Sequence, residues 1–343
     1  MYNVRAYARD CLESLRCMTP LPGEAAEIVI VDDGSTDGTG DIIDSFLQPA
    51  ASTWPRSVKV IVLHNPNQGL SSARNAGVAC AQGLYISFVD GDDTVCPDYL
   101  NALYDGLLSL GGINANHPLV IGKPNNSRGL TRTHTVPAIP RDIRTLTTTQ
   151  TLNAALTGAI PINAWAKLAP RKHYLTHPYP AQQTYEDLAT LVVLLEDSDQ
   201  VAILKHPIYC YRRRSDSLSH PQHPTILQVH DFLNALDAFS RSCERTFGRD
   251  VDLCKLRYQL SLQYMRLHRL VRLALRYPAS TSEQSELHAI DTHIVGEVLK
   301  IGSEAVKADG IGRIAALRIR LFCLSRPLYD RIFDCYERIR RHD

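Results

Sequence analysis

Leu84-Tyr85-Ile86-Ser87-Phe88-Val89-Asp90-Gly91-Asp92-Asp93 decides how this chain is read. Six mostly apolar residues stop abruptly at three carboxylates set around one glycine. Such a run predicts a buried strand of a parallel sheet. Parallel α/β sheets bind ligands at the carboxyl ends of their strands. Three acids there repel one another unless a cation or hydrogen-bond donors compensate. Oxygen ligands of this kind suit a hard divalent ion, Mg²⁺ or Mn²⁺, which commonly also holds phosphate. Taken alone, the motif is also explained by an exposed Asp-Gly turn with solvated acids.

Upstream, Glu27 to Val31 is a short β-branched run followed by Asp32-Asp33-Gly34-Ser35-Thr36-Asp37. This predicts a strand, a turn and a helix over about 37–47. Gly34 permits tight backbone geometry, and Asp37 or Thr36 caps the helix. Capping accounts for Asp37 and Thr36 better than for Asp32 and Asp33, which sit at the strand's end. Val58 to Leu63 predicts the next strand, 64–69 a turn, and Leu70 to Gln82 a helix closed by Gly83. Arg74 falls in the first turns of that helix, where the macrodipole disfavours a cation. A nearby anion would offset this cost; a solvated arginine is the alternative. Residues 4–18 predict an amphipathic helix ahead of all these elements.

Downstream, a helix is expected from Pro97 to about Leu110, a strand over Leu119–Gly122 and a long loop over 123–145. A helix over about 147–157 follows, then Asn163 to Leu168 with Trp165 and Lys167. Tyr185-Glu186-Asp187-Leu188 opens a helix to about Glu196. A capping box from Thr184 to Asp187 is one explanation of that acid. Val201–Leu204 and Pro207–Arg213 read as short strands ending in Arg212-Arg213-Arg214. From Pro224 helical periodicity dominates, giving two expected domains, 1–222 and a helical, partly basic 223–343. Cys254 to Tyr277 carries Lys255, Arg257, Arg266, Arg269, Arg272 and Arg276 and no acid. Such a helix lies on an anionic membrane or packs on its own domain with a solvated basic face. The tail from Leu317 repeats the pattern, with seven arginines against four acids.

A net charge of +1 over 343 residues gives no reason to expect nucleic acid as a partner. The nine cysteines form no C-x-x-C pair, and several lie in apolar runs. They read as reduced thiols of a cytosolic protein rather than a zinc or redox site. No apolar run approaches the ~20 residues of a membrane-spanning helix, and no signal peptide is evident.

Glu27-Ile-Val-Ile-Val-Asp-Asp-Gly-Ser-Thr-Asp-Gly-Thr, Asn67-Gln-Gly-Leu-Ser-Ser-Ala-Arg-Asn-Ala-Gly and Phe88-Val-Asp-Gly-Asp-Asp together closely resemble family 2 glycosyltransferases. The three segments cover roughly residues 1–110, in the family's order and spacing. A weaker resemblance continues through Trp165-Ala-Lys-Leu, Glu186-Asp187 and Tyr209-Cys-Tyr-Arg-Arg-Arg to Ser217. The resemblance implies the GT-A fold, a Rossmann-like, mostly parallel sheet flanked by helices, here with a helical C-terminal extension. It implies transfer of a sugar, with inversion, from a nucleotide-sugar donor, most often UDP-linked, to a hydroxyl of a saccharide or lipid-linked saccharide. Asp33 with Asp32 would accept a hydrogen bond from the base, which Tyr2 contacts. Arg74 would contact the nucleotide and Asp90 the ribose. Asp92, with Asp93 beside it, would ligate Mn²⁺ or Mg²⁺. Asp187 of the Glu186-Asp187 pair would be the general base, and Trp165 would line the acceptor pocket or pack in the core. The implied role is surface polysaccharide or glycolipid synthesis in the cytoplasm, peripheral at the inner face of a membrane.

One departure matters. The family normally begins with an apolar strand leading into Pro-x-Tyr-Asn, whereas this sequence opens at Met1-Tyr2-Asn3-Val4. Removing such a strand exposes backbone groups of its neighbours. The expectation is that Met1 is internal and the natural chain starts roughly ten residues earlier. A truncated, non-catalytic domain that binds a nucleotide or a partner is therefore the alternative reading. A sugar nucleotidyltransferase would need a Gly-rich N-terminal phosphate loop with a basic residue, which is not found.

Overall fold

Strands ending in polar turns, each followed by a helix with one apolar stripe, build the first half of the chain. The computed structural model describes residues 1–48, 54–125, 142–181, 183–212 and 223–342. It divides into two compact units, one of 1–151 with 161–217, the other of 152–160 with 218–343. The expected boundary at 222/223 adjoins residues 213–222, which with Arg213 and Arg214 lie outside the described residues.

In the first unit, α1 (Arg5–Arg16) buries Ala8, Cys11 and Leu12, the stripe its spacing predicts. β1 (Ala26–Asp32), α2 (Thr39–Leu47), β2 (Val58–His64) and α3 (Leu70–Cys80) follow. β1 and β2 pair in parallel from Ala26↔Val58 to Asp32↔His64. Leu12, Ile30, Ile43 and Phe46 close a small core against them. Asp37 ties two helix starts together. Its Oδ2 accepts from the Arg5 N–H at 2.9 Å, and its Oδ1 from the Thr39 N–H at 3.0 Å.

β3 (Tyr85–Ile86), β4 (Thr94–Val95), α4 (Tyr99–Ser109), β5 (Leu119–Asn125), β6 (Ile143–Thr147), α5 (Thr148–Leu156), β7 (Lys167–Pro170), α6 (Arg171–Thr176), α7 (Asp187–Glu196) and β8 (Gln200–Cys210) complete the order. Their sheet runs β3-β7-β5-β8-β4, with β6 also on β8. β5 and β8 are parallel and the other pairs antiparallel, so this sheet is mixed. Its core gathers Tyr99, Leu103 and Leu107 of α4 with Val120, Ala202, Leu204 and Ile208.

Three expectations change. The run at 84–89 is not a buried parallel strand. Tyr85–Ile86 pairs antiparallel with β7, Phe88 makes one bridge to Trp165, and Leu84 is 71% exposed. The ladder supplies strand partners on one side only among the described residues, so apolarity alone does not extend it. The two strands expected over 201–213 are one, β8. Pro207 is tolerated inside it because the β5 partner shifts register on either side of Lys123. The expected loop at 123–145 is narrower, since β5 reaches Asn125 and β6 begins at Ile143.

The second unit is helical: α8 (Ile226–Phe247), α9 (Leu253–Ala274), α10 (Thr281–Ala305), α11 (Arg313–Leu324) and α12 (Arg326–His342). Thr225 and Gln228 form a reciprocal capping box at the start of α8. The basic helix of the sequence is α9, and it is packed. Arg257 pairs with Glu304, and Arg272 with Asp330 and Asp334. The guanidiniums of Arg266 and Arg269 lie over the rings of Phe232 and Phe333.

His268 of α9 is fully buried, bonded through Nδ1 to Asp291 of α10 and through Nε2 to Asp330 of α12 at 3.0 Å. Burial lowers its pKa, but the two carboxylates outweigh burial and raise it above 6.5. A raised folded value means stability that is complete below the unfolded pKa and lost as pH rises through the folded one. The wild-type melting temperature is therefore expected to fall as pH rises from the ordinary histidine pKa through the raised folded value, and more steeply than that of His268→Gln. Parallel pH slopes for the two proteins would remove His268 as the cause.

Candidate active site

The turn after β1 and the turn before α3 clasp each other. Asp33, 3% exposed, receives the backbone N–H of Gln68 at its Oδ1 (3.0 Å) and of Gly69 at its Oδ2 (2.9 Å). Asp32 accepts from the Ser35 N–H at 3.1 Å and contacts His64 Nδ1 at 3.1 Å. Burial works against the charged Asp32, and the bonds from Ser35 and His64 win, so its pKa is lowered. Gly34 has φ +72°, and a Cβ there would stand 2.5 Å from the Asn67 nitrogen. Only glycine allows that approach. Tyr2, 45% exposed, lies at the start of the segment whose Met1 oxygen accepts from the Asp33 N–H at 2.9 Å.

The acid turn is fastened from β8. The Asp90 N–H donates to Tyr209 Oη at 3.1 Å, and Tyr209 Oη donates to Asp93 Oδ2 at 2.7 Å. The Arg212 N–H donates to Asp93 Oδ1 at 2.7 Å. Asp93 is 1% exposed with both oxygens engaged inward, so it holds the turn, whereas Asp92 stays half-buried. Burial, with the charges of Asp92 and Asp90, pushes Asp93 up to about 7 against those bonds. Trp165, 5% exposed, stacks on Tyr209 at 4.5 Å and on Tyr211 at 5.9 Å, which makes it a core residue.

Arg74 joins this turn to α7. Its guanidinium bonds Asp90 Oδ1 at 3.0 Å through Nη2 and Glu186 Oε1 through Nη1. It also lies 5.3 Å from the Tyr179 ring and 5.8 Å from that of Phe88. Burial would lower the Arg74 pKa; Asp90 and Glu186 overcome it and raise it. The offsetting anion expected from the sequence is thus a pair of carboxylates. Asn75, next on α3, clamps the Tyr179 backbone through both N–H and carbonyl, at 2.9 and 2.8 Å.

Burial raises the Glu186 pKa even with Arg74 beside it. Asp187 is half-buried, with Oδ2 3.5 Å from Asn163 Nδ2. The Asn163 carbonyl accepts from buried Lys167 Nζ. Burial pulls Lys167 down to about 7, and the charge of Asp187 resists that fall. α7 starts at Asp187 with Glu186 at the N-cap and no side-chain cap bond, so the Thr184 capping box does not form. Tyr185, next to these acids, has φ of +64°, and Ala166, next to Lys167, +54°, backbone states that cost side chains energy and gather at functional sites.

The profile of glycosyl transferase family 2 matches residues 1–168. Just under half of the chain, its N-terminal part, is thus similar to glycosyl transferase family 2. Glycosyltransferase GlyA of Streptococcus pneumoniae is 30% identical over 232 residues, 64% of this chain and 30% of its own length. The minor teichoic acid biosynthesis protein GgaA of Bacillus subtilis is 31% identical over 107 residues, 31% of this chain and 23% of its own. The matches span between 25% and 30% of the length of the first curated relatives. S. aureus TarS 1–349 superposes with a TM-score of 0.54 at 16% identity, covering 89% of this chain and 81% of that one. That likeness establishes the GT-A fold. TarS has also been crystallised with UDP and with UDP-GlcNAc.

The first unit thus gathers Asp90, Arg74 and Glu186 directly, with Asp187 adjoining. Tyr209, Asn75, Lys167 and Asn163 were not singled out as site residues. Their only signals were an aromatic-basic segment, a position next to Arg74, and a lysine and an asparagine on either side of Trp165. No group of three or more His, Cys, Asp or Glu among the described residues is arranged to cage a metal. The donor set is nonetheless oxygen, held at one carboxylate-rich turn. It fits an ion bound through one or two carboxylates with substrate phosphates completing its shell.

Proposed function

We propose that the chain transfers a sugar from a UDP-sugar to an acceptor hydroxyl, with inversion, in synthesis of a surface polysaccharide or glycolipid at the cytosolic face of a membrane. The Arg74 bridge carries this reading. It sets the acid turn of the donor motifs beside the carboxylates that open α7. TarS with UDP-GlcNAc supports the donor class, and GgaA the polymer class. Nine free cysteines suit a reducing compartment.

Tyr2, Asp32, Asp33 and Asp90 are the nucleotide-side candidates. Asp33 acts by fixing the 64–69 turn. Asp92 would hold Mn²⁺ or Mg²⁺, with Asp93 shaping the turn behind it. Such an ion supplies positive charge to the diphosphate as the glycosidic bond breaks. Asp187 removes the acceptor's proton. Glu186 is committed to Arg74, which leaves Asp187 as the base.

Calorimetric titration of UDP into the protein with and without Mn²⁺ tests the donor side. The expected result is binding strengthened by the metal in wild type, with that gain absent in Asp92→Ala. Absence of UDP binding in either condition would overturn the transferase reading in favour of a non-catalytic domain.

A further inference from the structure

The second unit has an exposed apolar surface on its last two helices. Five of the fifteen exposed large apolar side chains among the described residues fall between Ile314 and Ile332. Ile314, Leu317 and Leu324 are 78%, 65% and 85% exposed on α11. Their spacing of three and seven puts them on one stripe. Leu328 and Ile332 continue it on α12 at 47% and 52%. The opposite stripe is buried, with Ile319 and Phe322 on α11 and Tyr329 on α12 at 5% or less.

Charge is sorted the same way. α11 contains no acid. On α12, Asp330 and Asp334 turn inward to His268 and Arg272. Arg313, Arg320 and Arg331 are exposed beside the apolar stripe and form no ion pair among the described residues. In the connection before α11, exposed Lys307 and Asp309 cancel. The outward side of the two helices is therefore apolar with a cationic margin.

We propose that this α11–α12 surface lies on an anionic lipid bilayer, its aliphatic side chains among the acyl chains and its arginines at the phosphates. Exposed aliphatics with flanking arginines, and no opposing carboxylate among the described side chains, describe an in-plane helix. No described helix is long and apolar enough to cross a membrane. A second copy of the chain fits worse. A two-fold interface sets a patch against itself, and here neither copy would offer the other's arginines a described carboxylate. The assignment also differs from the sequence's first candidate, α9, whose arginines are engaged inside the unit.

Vesicle flotation of the full chain tests this without donor or acceptor, so it stands or falls apart from the transferase reading. Vesicles of phosphatidylcholine with about one third phosphatidylglycerol are expected to bind the protein, and phosphatidylcholine alone to bind it at least tenfold more weakly. Arg320→Gln with Arg331→Gln is expected to weaken binding to the anionic vesicles roughly thirtyfold, each cation being worth about a factor of five. Leu317→Glu with Leu324→Glu is expected to weaken it more than about a hundredfold. The arginine variant keeps all core residues, and its melting temperature serves as the folding control. Equal binding to both vesicle types, or binding that neither variant changes, overturns the proposal. So does a dimer that the leucine variant dissolves, which would assign the surface to a second copy.

Discussion

Asp187→Asn is expected to reduce sugar transfer by about 10²–10⁴-fold in kcat while leaving UDP affinity within about twofold. The substitution keeps the volume and the contact with Asn163 but removes the ability to accept a proton. Asp187 is half-buried at the first position of α7, beside a side chain already committed to Arg74. Lys167 senses its charge through the protein, since Asp187 holds the buried ammonium's pKa up against desolvation. Glu186→Gln should behave differently. It disturbs the Arg74 bridge and hence stability, so its melting temperature drops along with its activity. Single-turnover transfer and UDP calorimetry on both variants separate the two roles. Transfer by Asp187→Asn at wild-type rate would overturn the base assignment.

The turns after β1 and before α3 were legible because both are written locally, whereas the bonds from Gln68 and Gly69 to Asp33 across 35 and 36 residues were not. Each turn has a glycine, a run of polar residues and a strand or helix on either side. Asp32 and Asp33 stood out because caps and turns did not account for both. Arg74 stood out because a cation at a helix start needs an anion. The anion's identity was not legible, since Glu186 lies 112 residues away and pairing at that range leaves no periodic trace. The same holds for Tyr209 and Asp93, separated by 116. An apolar run such as 84–89 reads alike whether strands flank it on one side or two, so its burial was overestimated. In Cys254–Tyr277, which forms α9 and its end, six Lys and Arg without acids read as a free basic face. The balancing Glu304, Asp330 and Asp334 belong to α10 and α12, which only the packing brings near. Trp165 was open between pocket and core, and its stacking on Tyr209, a residue far along the chain, left no local trace.

Arg74→Met is expected to destabilise the protein by about 3–5 kcal/mol at neutral pH. Arg74 and Glu186 have side chains 8% and 6% exposed, so each is a charge withdrawn from water and stabilised by the other. Removing the cation leaves the buried Glu186 carboxylate with its charge uncompensated. Asp90 loses its partner too, but it is 27% exposed and water recovers part of that loss. The pH dependence identifies the mechanism. Burial already raises the Glu186 pKa in the presence of Arg74, and the variant removes a charge that opposes the rise. A carboxyl whose folded pKa is raised favours folding when protonated, so stability falls as pH rises through that value. Arg74→Met should therefore regain stability as the pH is lowered below the folded pKa of Glu186. The double variant Arg74→Met with Glu186→Gln should be more stable than Arg74→Met at neutral pH, because no buried charge is then left alone. Arg74→Lys should not rescue, since an ammonium on a flexible stem lacks the fork that spans two carboxylates. Urea unfolding of the four proteins at neutral and acid pH measures all of this. A Lys variant as stable as wild type, or an Arg74→Met whose deficit is unchanged by acid or by Glu186→Gln, would show that Arg74 acts by packing on Tyr179 and Phe88 and not by joining the two acids.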